Sequence, residues 1–270
     1  ASELKSLLCF PEIAPEIDAR GLYDLMFLGP GRTPGYGVFR DVLEVKPGCC
    51  GSFDAQGLRQ WTYWSLKDGV CADSFEACAE KTRFLLEDSI RRQLVSDVPI
   101  GTFLSGGLDS SIVSAVAAQE LGAIDTFSVD YRDNEKYFQS TKFQPNSDPY
   151  FMDLMSRHIG SHSHHIILDT DMLVPALLEA AEARDLPGMA DVDSSLLLLC
   201  RETKKDVTVV LSGECADEIF GGYPWYRDPE VRAVNGFPWA QTTDYRSTFL
   251  RPELLAWQDP HEFVDARYRE

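Results

Sequence analysis

The spacing of apolar and polar positions changes near residue 70 and separates the chain into two parts. Before this point, short alternating segments lie between glycine and proline turns and predict antiparallel strands over 38–45, 49–53 and 59–64. An amphipathic helix is predicted over 16–26. We therefore expect a small β-rich segment at the amino-terminal end of the chain.

From residue 69 onward, short apolar segments alternate with stretches of helical periodicity. Strands are predicted at 100–104, 124–129, 165–168 and 207–211, and helices at 73–94, from 110 onward, and at 148–159, 172–183 and 196–204. Residues suited to helix starts precede or open these helices: Asp73 or Ser74, Ser110 or Ser111, Asp148 or Pro149, Asp171, and Ser194 or Ser195. This alternation predicts an α/β fold with a parallel sheet covered by helices on both faces.

The helix predicted over 73–94 has its apolar residues close to one face. Phe75, Leu85 and Ile90 belong to this face, and charged residues occupy the rest of the surface. This pattern is typical of a helix that packs one side against the protein and exposes the other to water.

Composition narrows the possible functions. The chain has 270 residues and a net charge of −18, which argues against general binding of nucleic acids because phosphate contacts need a basic surface. No apolar run is long enough to span a bilayer, and the first residues do not resemble a signal peptide. The seven cysteines are odd in number and form no Cys-x-x-Cys pair, which favours free thiols in a reducing cytosol over disulfides or a zinc site.

The segment 100–111 combines a predicted strand, a glycine turn and a helix start. Gly106 and Gly107 allow the backbone to approach a ligand closely, and free N–H groups at a helix start bind anions. Asp109 would repel a phosphate unless a divalent cation lay between them. The segment therefore predicts a nucleotide with magnesium. It has neither the lysine and glycine spacing of a Walker loop nor the dinucleotide-binding fingerprint.

A second motif, at 212–223, follows the last predicted strand. Glu214, Asp217 and Glu218 crowd three carboxylates into a short stretch, which favours a bound cation or proton. The alternative is an acidic helix start stabilised by the helix dipole. Ligands bind beyond the carboxyl ends of parallel strands, so we expect Ser105, Asp130 and Ser212 to meet at one edge of the sheet.

The sequence Ser-Gly-Gly-Leu-Asp-Ser-Ser at 105–111 resembles the pyrophosphate loop of the ATP pyrophosphatases. Together with the second motif, it resembles the synthetase domain of the glutamine-hydrolysing asparagine synthetases, and 18–64 is similar to the end of their glutaminase half. The resemblance implies a PP-loop fold of the adenine nucleotide α-hydrolase type over 69–270, truncated at its C-terminus. Residues 1–68 would then be the remnant of an Ntn-type glutaminase domain.

The resemblance also implies site residues. It assigns binding of ATP and pyrophosphate to Leu104, Ser105, Gly106, Gly107, Asp109, Ser110, Ser111, Val129, Ser212 and Gly213. Within this set Leu104 and Val129 would lie against adenine. Asp109 and Asp217 would bind Mg²⁺, and Glu214 would be the catalytic carboxylate near the reacting adenylate. The role of Glu218 is left open.

The implied activity is that of a ligase. The side-chain carboxylate of aspartate would attack ATP to give β-aspartyl-AMP and pyrophosphate, and ammonia, derived from glutamine in the intact enzyme, would then displace AMP. The alternatives are another amide-forming adenylating enzyme of this fold, similar to a β-lactam synthetase or a peptide-modifying cyclase, and a catalytically incomplete nucleotide-binding fragment. The expected partners are aspartate, ATP and ammonia, with no nucleic acid or membrane, and a homodimer is left open.

Departures from the family pattern modify these expectations. Residue 1 is Ala where a glutaminase would have its nucleophilic Cys, and Cys9 is internal, so no hydrolysis of glutamine is expected. The chain ends before the C-terminal helices of the family, which leaves the activity of the isolated chain open.

Three further segments are candidates with weaker signals. Asp193, Ser194 and Ser195 are candidate aspartate-binding residues, with a loop and helix cap as the alternative. Strand periodicity sends His164 and His165 to opposite faces, which argues against a shared zinc ion. The polar stretch 130–147 is predicted to be a mobile loop near the site.

Overall fold

The computed structural model describes residues 1, 3–29, 31–67, 69–140 and 146–270, and at residue 191 the backbone alone. The strands are β1 (Cys49–Asp54), β2 (Gly57–Thr62), β3 (Ile100–Phe103), β4 (Asp125–Tyr131), β5 (His162–Leu168) and β6 (Val209–Leu211). The α-helices are α1 (Leu4–Leu7), α2 (Ala19–Tyr23), α3 (Phe75–Gln93), α4 (Leu108–Leu121), α5 (Asn134–Tyr137), α6 (Pro149–Ile159), α7 (Thr170–Arg184), α8 (Ala190–Thr203), α9 (Ala216–Phe220), α10 (Pro229–Arg232), α11 (Thr243–Ser247), α12 (Pro252–Leu255) and α13 (Pro260–Arg269). A π-helical turn forms at Asp24–Leu28, and 3₁₀ turns form at Pro224–Tyr226 and Pro238–Ala240.

The chain forms two compact units. The first consists of Ala1–Val70, Ala183–Met189 and Arg227–Glu270, and the second of Cys71–Glu182 and Ala190–Tyr226. This division follows spatial contacts and not evolutionary origin. The assignment of 1–68 to a glutaminase remnant and 69–270 to a synthetase domain stays a prediction.

The second unit contains the predicted parallel sheet. Its strand order is β5-β4-β3-β6, and each neighbouring pair is parallel. The side chains of Ile100 and Phe103, three positions apart on β3, point to opposite faces because strand side chains alternate. Ile100 packs against Leu94 and Ala117, on the α3–α4 side, and Phe103 packs against the cluster that includes Leu199 of α8. Helices therefore cover both faces, which confirms the predicted fold class.

The first unit is held together by an aromatic cluster. Tyr23 and Phe27 are fully buried and meet Phe263 of α13, and the Tyr23 ring contacts the other two edge to face. The Tyr23 hydroxyl donates a hydrogen bond to the carbonyl of Gln258 at 2.8 Å. Strands β1 and β2 form an antiparallel hairpin in this unit. The predicted hairpin and the helix within 16–26 are thus confirmed.

The prediction of a strand over 38–45 is wrong. This stretch makes only the isolated bridges Ile17–Phe39 and Tyr36–Leu43. Val38 and Asp41 have positive φ angles of 68° and 63°, so the backbone turns twice where an extended strand was expected. The alternation of apolar residues here reflects a folded-back loop and not a strand.

Three helices begin at earlier residues than the sequence predicted. Helix α4 begins at Leu108 with Gly107 as its N-cap, so Ser110 and Ser111 lie in the first turn and do not cap it. Helix α8 begins at Ala190, which places Ser194 and Ser195 inside it, so the alternative of a loop and helix cap is wrong. Asp171 likewise lies inside α7.

The apolar face predicted for α3 is buried only near its C-terminal end. Ser74 caps the helix as predicted, and its Oγ accepts a hydrogen bond from the N–H of Ala77. Ile90 is buried, whereas the residues Phe75 and Leu85 are 82% and 54% exposed. The helical pattern correctly identified α3, but it overestimated the length of this helix that packs against the rest of the second unit. Within the described residues, no helix is both long and apolar enough to cross a membrane.

Candidate active site

The candidate site lies beyond the carboxyl ends of β3 and β6. The chain passes from β3 outward to β4 and β5 and then returns to β6 on the other side of β3. At such a reversal, the loops that follow the two neighbouring strands diverge and leave a crevice in which α/β proteins bind ligands. Ser105 follows β3 and Ser212 follows β6, so both predicted motifs begin at this crevice.

The backbone just before the first loop is fixed to the neighbouring strand. The N–H of Leu104 donates a hydrogen bond to the carbonyl of Phe127 at 2.9 Å, which extends the parallel pairing one residue beyond β3. The buried Ser128 hydroxyl donates to the Leu104 carbonyl at 2.8 Å. Leu104 is buried, and the backbone is free of the sheet from Ser105 onward.

Ser110 determines the shape of the first loop. Its hydroxyl oxygen accepts a hydrogen bond from the N–H of Ser105 at 3.2 Å and lies 3.0 Å from the Ser105 hydroxyl. The same hydroxyl donates to the carbonyl of Gly107 at 3.3 Å. Because Ser110 is buried, these bonds hold the turn together from the helix side. Ser110 thus has a structural role in the loop. Its role in phosphate binding stays a prediction.

Gly106 occupies a position that only glycine fits well. Its φ is +83°, and a Cβ there would lie 2.9 Å from the carbonyl oxygen of Asp148 and 3.1 Å from the backbone nitrogen of Met152. The loop therefore passes directly against the start of α6. Glycine provides both the left-handed backbone and the close approach that the turn requires.

The two motifs are in direct contact. A Cβ on Gly213 would lie 2.7 Å from the backbone nitrogen of Ser110 and 3.0 Å from the Cβ of Asp109. The loop after β6 thus crosses the first turn of α4 with no space for a side chain. Ser105 and Ser212 thus follow neighbouring strands at one edge of the sheet, as expected. The prediction that Asp130 also follows its strand is wrong, because β4 continues to Tyr131 and Asp130 lies inside it.

The Asp109 carboxylate, next to this contact between the two motifs, is close enough to Asp217 for their charges to interact. Partial burial raises the pKa of Asp109, and the negative charge of Asp217 raises it further. Two carboxylates that face each other repel when both are ionised, and a hard cation between their oxygens removes the repulsion. Carboxylate oxygens are ligands that Mg²⁺ prefers, and binding of Mg²⁺ by Asp109 and Asp217 stays a prediction.

Tyr223 faces the same group of acids. Its hydroxyl donates a hydrogen bond to Glu218 at 3.0 Å, and its ring stacks on Trp225 at 4.3 Å between centroids. Burial, the bond to Glu218 and the charges of Glu218, Asp217 and Glu214 raise the pKa of Tyr223 to about 12. The acids of the second motif thus form one negatively charged group. The sequence pattern predicted no role for Tyr223, although this residue is the last of the second motif.

The second loop is bent by its own residues. The Ser212 hydroxyl accepts a hydrogen bond from the N–H of Glu214 at 3.1 Å, and Cys215 then adopts a left-handed backbone with φ of 71° before α9. A Cβ on Gly222 would overlap the carboxylate of Asp217, whose backbone carbonyl accepts the Gly222 N–H at 3.0 Å. Glycine at 222 therefore lets the Asp217 side chain lie against the backbone.

The weaker candidates lie around the end of β4. Val129 is half-buried in the apolar cluster that includes Leu199 of α8. The Tyr131 hydroxyl lies 2.9 Å from the Ser195 hydroxyl and connects α8 to the carboxyl end of β4. Asp193, Ser194 and Ser195 are buried, which gives them a part in packing α8, and their binding of aspartate stays a prediction.

The remaining polar segments have defined partners. The His164 ring stacks on Phe127 and lies 2.7 Å from Asp125, whereas His165 lies 3.3 Å from Asp153, so the two rings have different surroundings. In the polar stretch 130–147, α5 forms and Asp130 accepts a hydrogen bond from the Asn134 side chain. Residues 141–145 of the predicted mobile loop lie outside the described residues.

Comparison with known proteins identifies the family of this chain. Residues 81–270 match the family model described as asparagine synthase. The chain is 45% identical to asparagine synthetase (glutamine-hydrolyzing) 3 of Bacillus subtilis, over 100% of this chain and 44% of that protein. It is 29% identical to asparagine synthetase B of Escherichia coli, over 62% of this chain and 30% of that protein.

A eukaryotic relative also matches part of this chain. The chain is 26% identical to the Bos taurus asparagine synthetase (glutamine-hydrolyzing), over 69% of this chain and 34% of that protein. The chain therefore spans less than half the length of these curated relatives.

Proposed function

Because the chain belongs to the asparagine synthase family, we propose that it carries the ATP-dependent half of asparagine synthesis. In the first step, one oxygen of the aspartate side-chain carboxylate forms a bond to the α-phosphorus of ATP. The bond to the bridging oxygen breaks, which gives β-aspartyl-AMP and pyrophosphate. In the second step, ammonia forms a bond to the activated carbon, AMP leaves with the bonding electrons, and the ammonia nitrogen loses a proton.

The protein contributes position and charge more than nucleophiles to such a reaction. The backbone of Gly106 and Gly107, at the start of α4, would bind the phosphates, since free N–H groups at a helix start attract anions. Asp109 and Asp217 would hold magnesium, which when bound neutralises charge on the leaving pyrophosphate.

Glu214 is the candidate residue for the step that uses ammonia. It follows Ser212 at the crevice and its charge reaches the same Tyr223 as those of Asp217 and Glu218. We propose that its carboxylate orients ammonia and accepts the proton that ammonia releases. Leu104 and Val129 would line the adenine site, and Ser105, Ser110, Ser111, Ser212 and Gly213 would complete the phosphate site.

One observation supports the proposal most directly: Asp109 and Asp217 lie at the starts of α4 and α9, which follow two different strands, and the charge of Asp217 raises the pKa of Asp109. An acidic helix start alone would not require a partner acid from another helix. The pair therefore favours a cation site shared by both motifs.

The test measures pyrophosphate release by the purified chain with ATP, Mg²⁺, aspartate and an ammonium salt. Asp217→Asn should reduce release at least tenfold, since metal ligands that contact a leaving group stabilise the transition state. Asp97→Asn removes an exposed acid before β3 and is the matched control, with unchanged release expected. Equal rates in the two variants would contradict the assignment.

Two other functions are separated by the same assay. Release of pyrophosphate with another carboxylic acid, and not with aspartate, would indicate a different amide-forming adenylating enzyme. Binding of ATP without any release would indicate a nucleotide-binding fragment. We also propose glutamine as the source of ammonia in the intact enzyme and the cytoplasm as its location, and a homodimer stays a prediction.

A further inference from the structure

Two cysteines in the second unit lie side by side at the start of α3. Cys71 precedes the helix and Cys78 lies in its second turn, and their sulfur atoms are 2.7 Å apart. Both are free thiols. The backbone N–H of Cys78 donates to the carbonyl of Ser74 at 2.9 Å, while the Cys78 sulfur lies 4.0 Å from the carbonyl of Asp73. The segment before the helix therefore folds back along its first turns and brings the two sulfurs together.

We propose that Cys71 and Cys78 form a reversible disulfide by exchange with small disulfides. The sulfurs already face each other, so closing the bond needs no rearrangement of the sheet or of the candidate active site. Cys71 is exposed and therefore open to attack on a soluble disulfide. This site is separate from the asparagine synthesis proposed above and does not depend on it.

The two thiols differ in a way that assigns their order of reaction. The thiol of Cys78 lowers the pKa of Cys71 by hydrogen bonding, with smaller contributions from the Asp73 backbone and the charge of Lys81. The same contact, together with burial, raises the pKa of Cys78. Cys71 is also the more exposed of the two thiols, so its thiolate attacks first and Cys78 resolves.

The exchange balances in two steps. The Cys71 thiolate attacks one sulfur of the small disulfide, which forms a mixed disulfide and releases one small thiolate. Cys78 then loses its proton to solvent and attacks the Cys71 sulfur, which releases the second small thiolate. The protein loses two electrons and two protons, and the small disulfide gains both as two thiols.

A metal ion is the competing occupant. The Asp73 carboxylate and both sulfurs lie within 4.8 Å of one another, a grouping that could hold a metal ion. Structural zinc sites have four protein ligands, whereas this grouping offers three, which favours the disulfide over a zinc ion.

The test exposes the whole chain to oxidised glutathione and identifies the products by intact-mass and peptide mass spectrometry. The expected result is a loss of about 2 Da from two hydrogens and a linked peptide pair that contains Cys71 and Cys78. Cys71→Ser and Cys78→Ser should not close, and Cys78→Ser should retain one glutathione on Cys71. Cys9→Ser, which removes another exposed cysteine, is the matched control and should close normally.

Three results of the oxidation would overturn the proposal: no linked peptide in the unaltered chain, a link that joins other cysteines, or glutathione retained on Cys71 in the unaltered chain. Tight binding of one zinc ion that protects both thiols from oxidation would also overturn it, in favour of the metal site. Because the unaltered chain itself is mapped, the test holds even if a serine variant folds poorly. Alkylation of the unaltered chain, with Cys71 labelled faster than Cys9, tests the order of reaction separately.

Discussion

Gly213 lies directly against the backbone nitrogen of Ser110, so that a Cβ at 213 would be only 2.7 Å away. This contact joins the loop after β6 to the first turn of α4 and fixes the separation between the two motifs. Any side chain at 213 must push the loops apart, and the carboxylates of Asp109 and Asp217 move with them. The contact therefore links a small packing detail to the chemistry proposed for the site.

We expect Gly213→Ala to reduce aspartate-dependent pyrophosphate release at least tenfold, because displaced catalytic groups lose much of their effect. Overpacking should also lower the free energy of unfolding by about 1–3 kcal/mol. Gly69→Ala is the control, since a Cβ at 69 meets nothing within 4 Å. Release rates and denaturant unfolding are measured for both variants, and a loss of similar size in both would disprove the role of this contact.

Replacement of Asp109 tests the electrostatics of the site through pH. Because the folded protein raises the pKa of Asp109 above its ordinary value of 3.8, this group favours the folded state below that pH, and the stability is lost as the pH rises through the folded pKa. Without divalent cations, Asp109→Asn should therefore be more stable than the unaltered protein at pH 7, with the difference disappearing in acid. Thermal unfolding across this pH range measures it.

Addition of Mg²⁺ should make the unaltered protein more stable than Asp109→Asn. An ion that binds only the folded state stabilises it in proportion to the logarithm of its concentration. Millimolar Mg²⁺ should raise the melting temperature of the unaltered protein and leave that of Asp109→Asn nearly unchanged. An equal response of the two proteins would argue against Asp109 as a ligand.

Replacement of Cys215 by glycine should increase the free energy of unfolding. Its φ of 71° is costly for a residue with a side chain, by about 1–2 kcal/mol, whereas glycine adopts it freely. After the larger backbone entropy of glycine in the unfolded chain is subtracted, Cys215→Gly should stabilise the protein by about 0.5–1 kcal/mol. Ala216→Gly, at the first residue of α9, should destabilise it instead. Urea unfolding of both variants decides whether the left-handed backbone is the cause.

Tyr223 should keep its proton far into the alkaline range. Its pKa of about 12 lies above the ordinary value of 10, so the stability that it contributes is complete below pH 10 and is lost as the pH approaches 12. In ultraviolet titration, the difference between the unaltered protein and Tyr223→Phe should show tyrosinate absorbance only near pH 12. An absorbance change centred near pH 10 would contradict the hydrogen bond from Tyr223 to Glu218.

The same variant should lose stability at neutral pH. Removal of one hydrogen bond to a charged group costs about 1.5–3 kcal/mol when the group is buried, and less for a half-buried ring such as Tyr223. We expect about 1 kcal/mol for Tyr223→Phe. Tyr245→Phe, which alters an exposed ring, should stay within about 0.5 kcal/mol of the unaltered protein.

Local sequence determined the elements that carry the site. The apolar strand before Ser105, the glycines after it and the cap at Ser74 each specify a conformation through neighbouring residues alone, and each forms as predicted. The acidic composition of 212–223 also predicted a cluster of carboxylates. Such features are readable because sterics, capping and periodicity act over only a few residues.

Tertiary structure decided what these elements meet. Nothing near Val38 predicted its left-handed backbone, nothing in α3 showed that Phe75 stays exposed, and the spacing of Cys71 and Cys78 matched no recognised pair. The pairing of β6 with β3, and with it the contact of Gly213 with Ser110, depends on residues far apart in the chain. The sequence thus determined which groups could take part in the chemistry, and long-range packing decided which of them meet, because the energy of such contacts exists only once the whole sheet has formed.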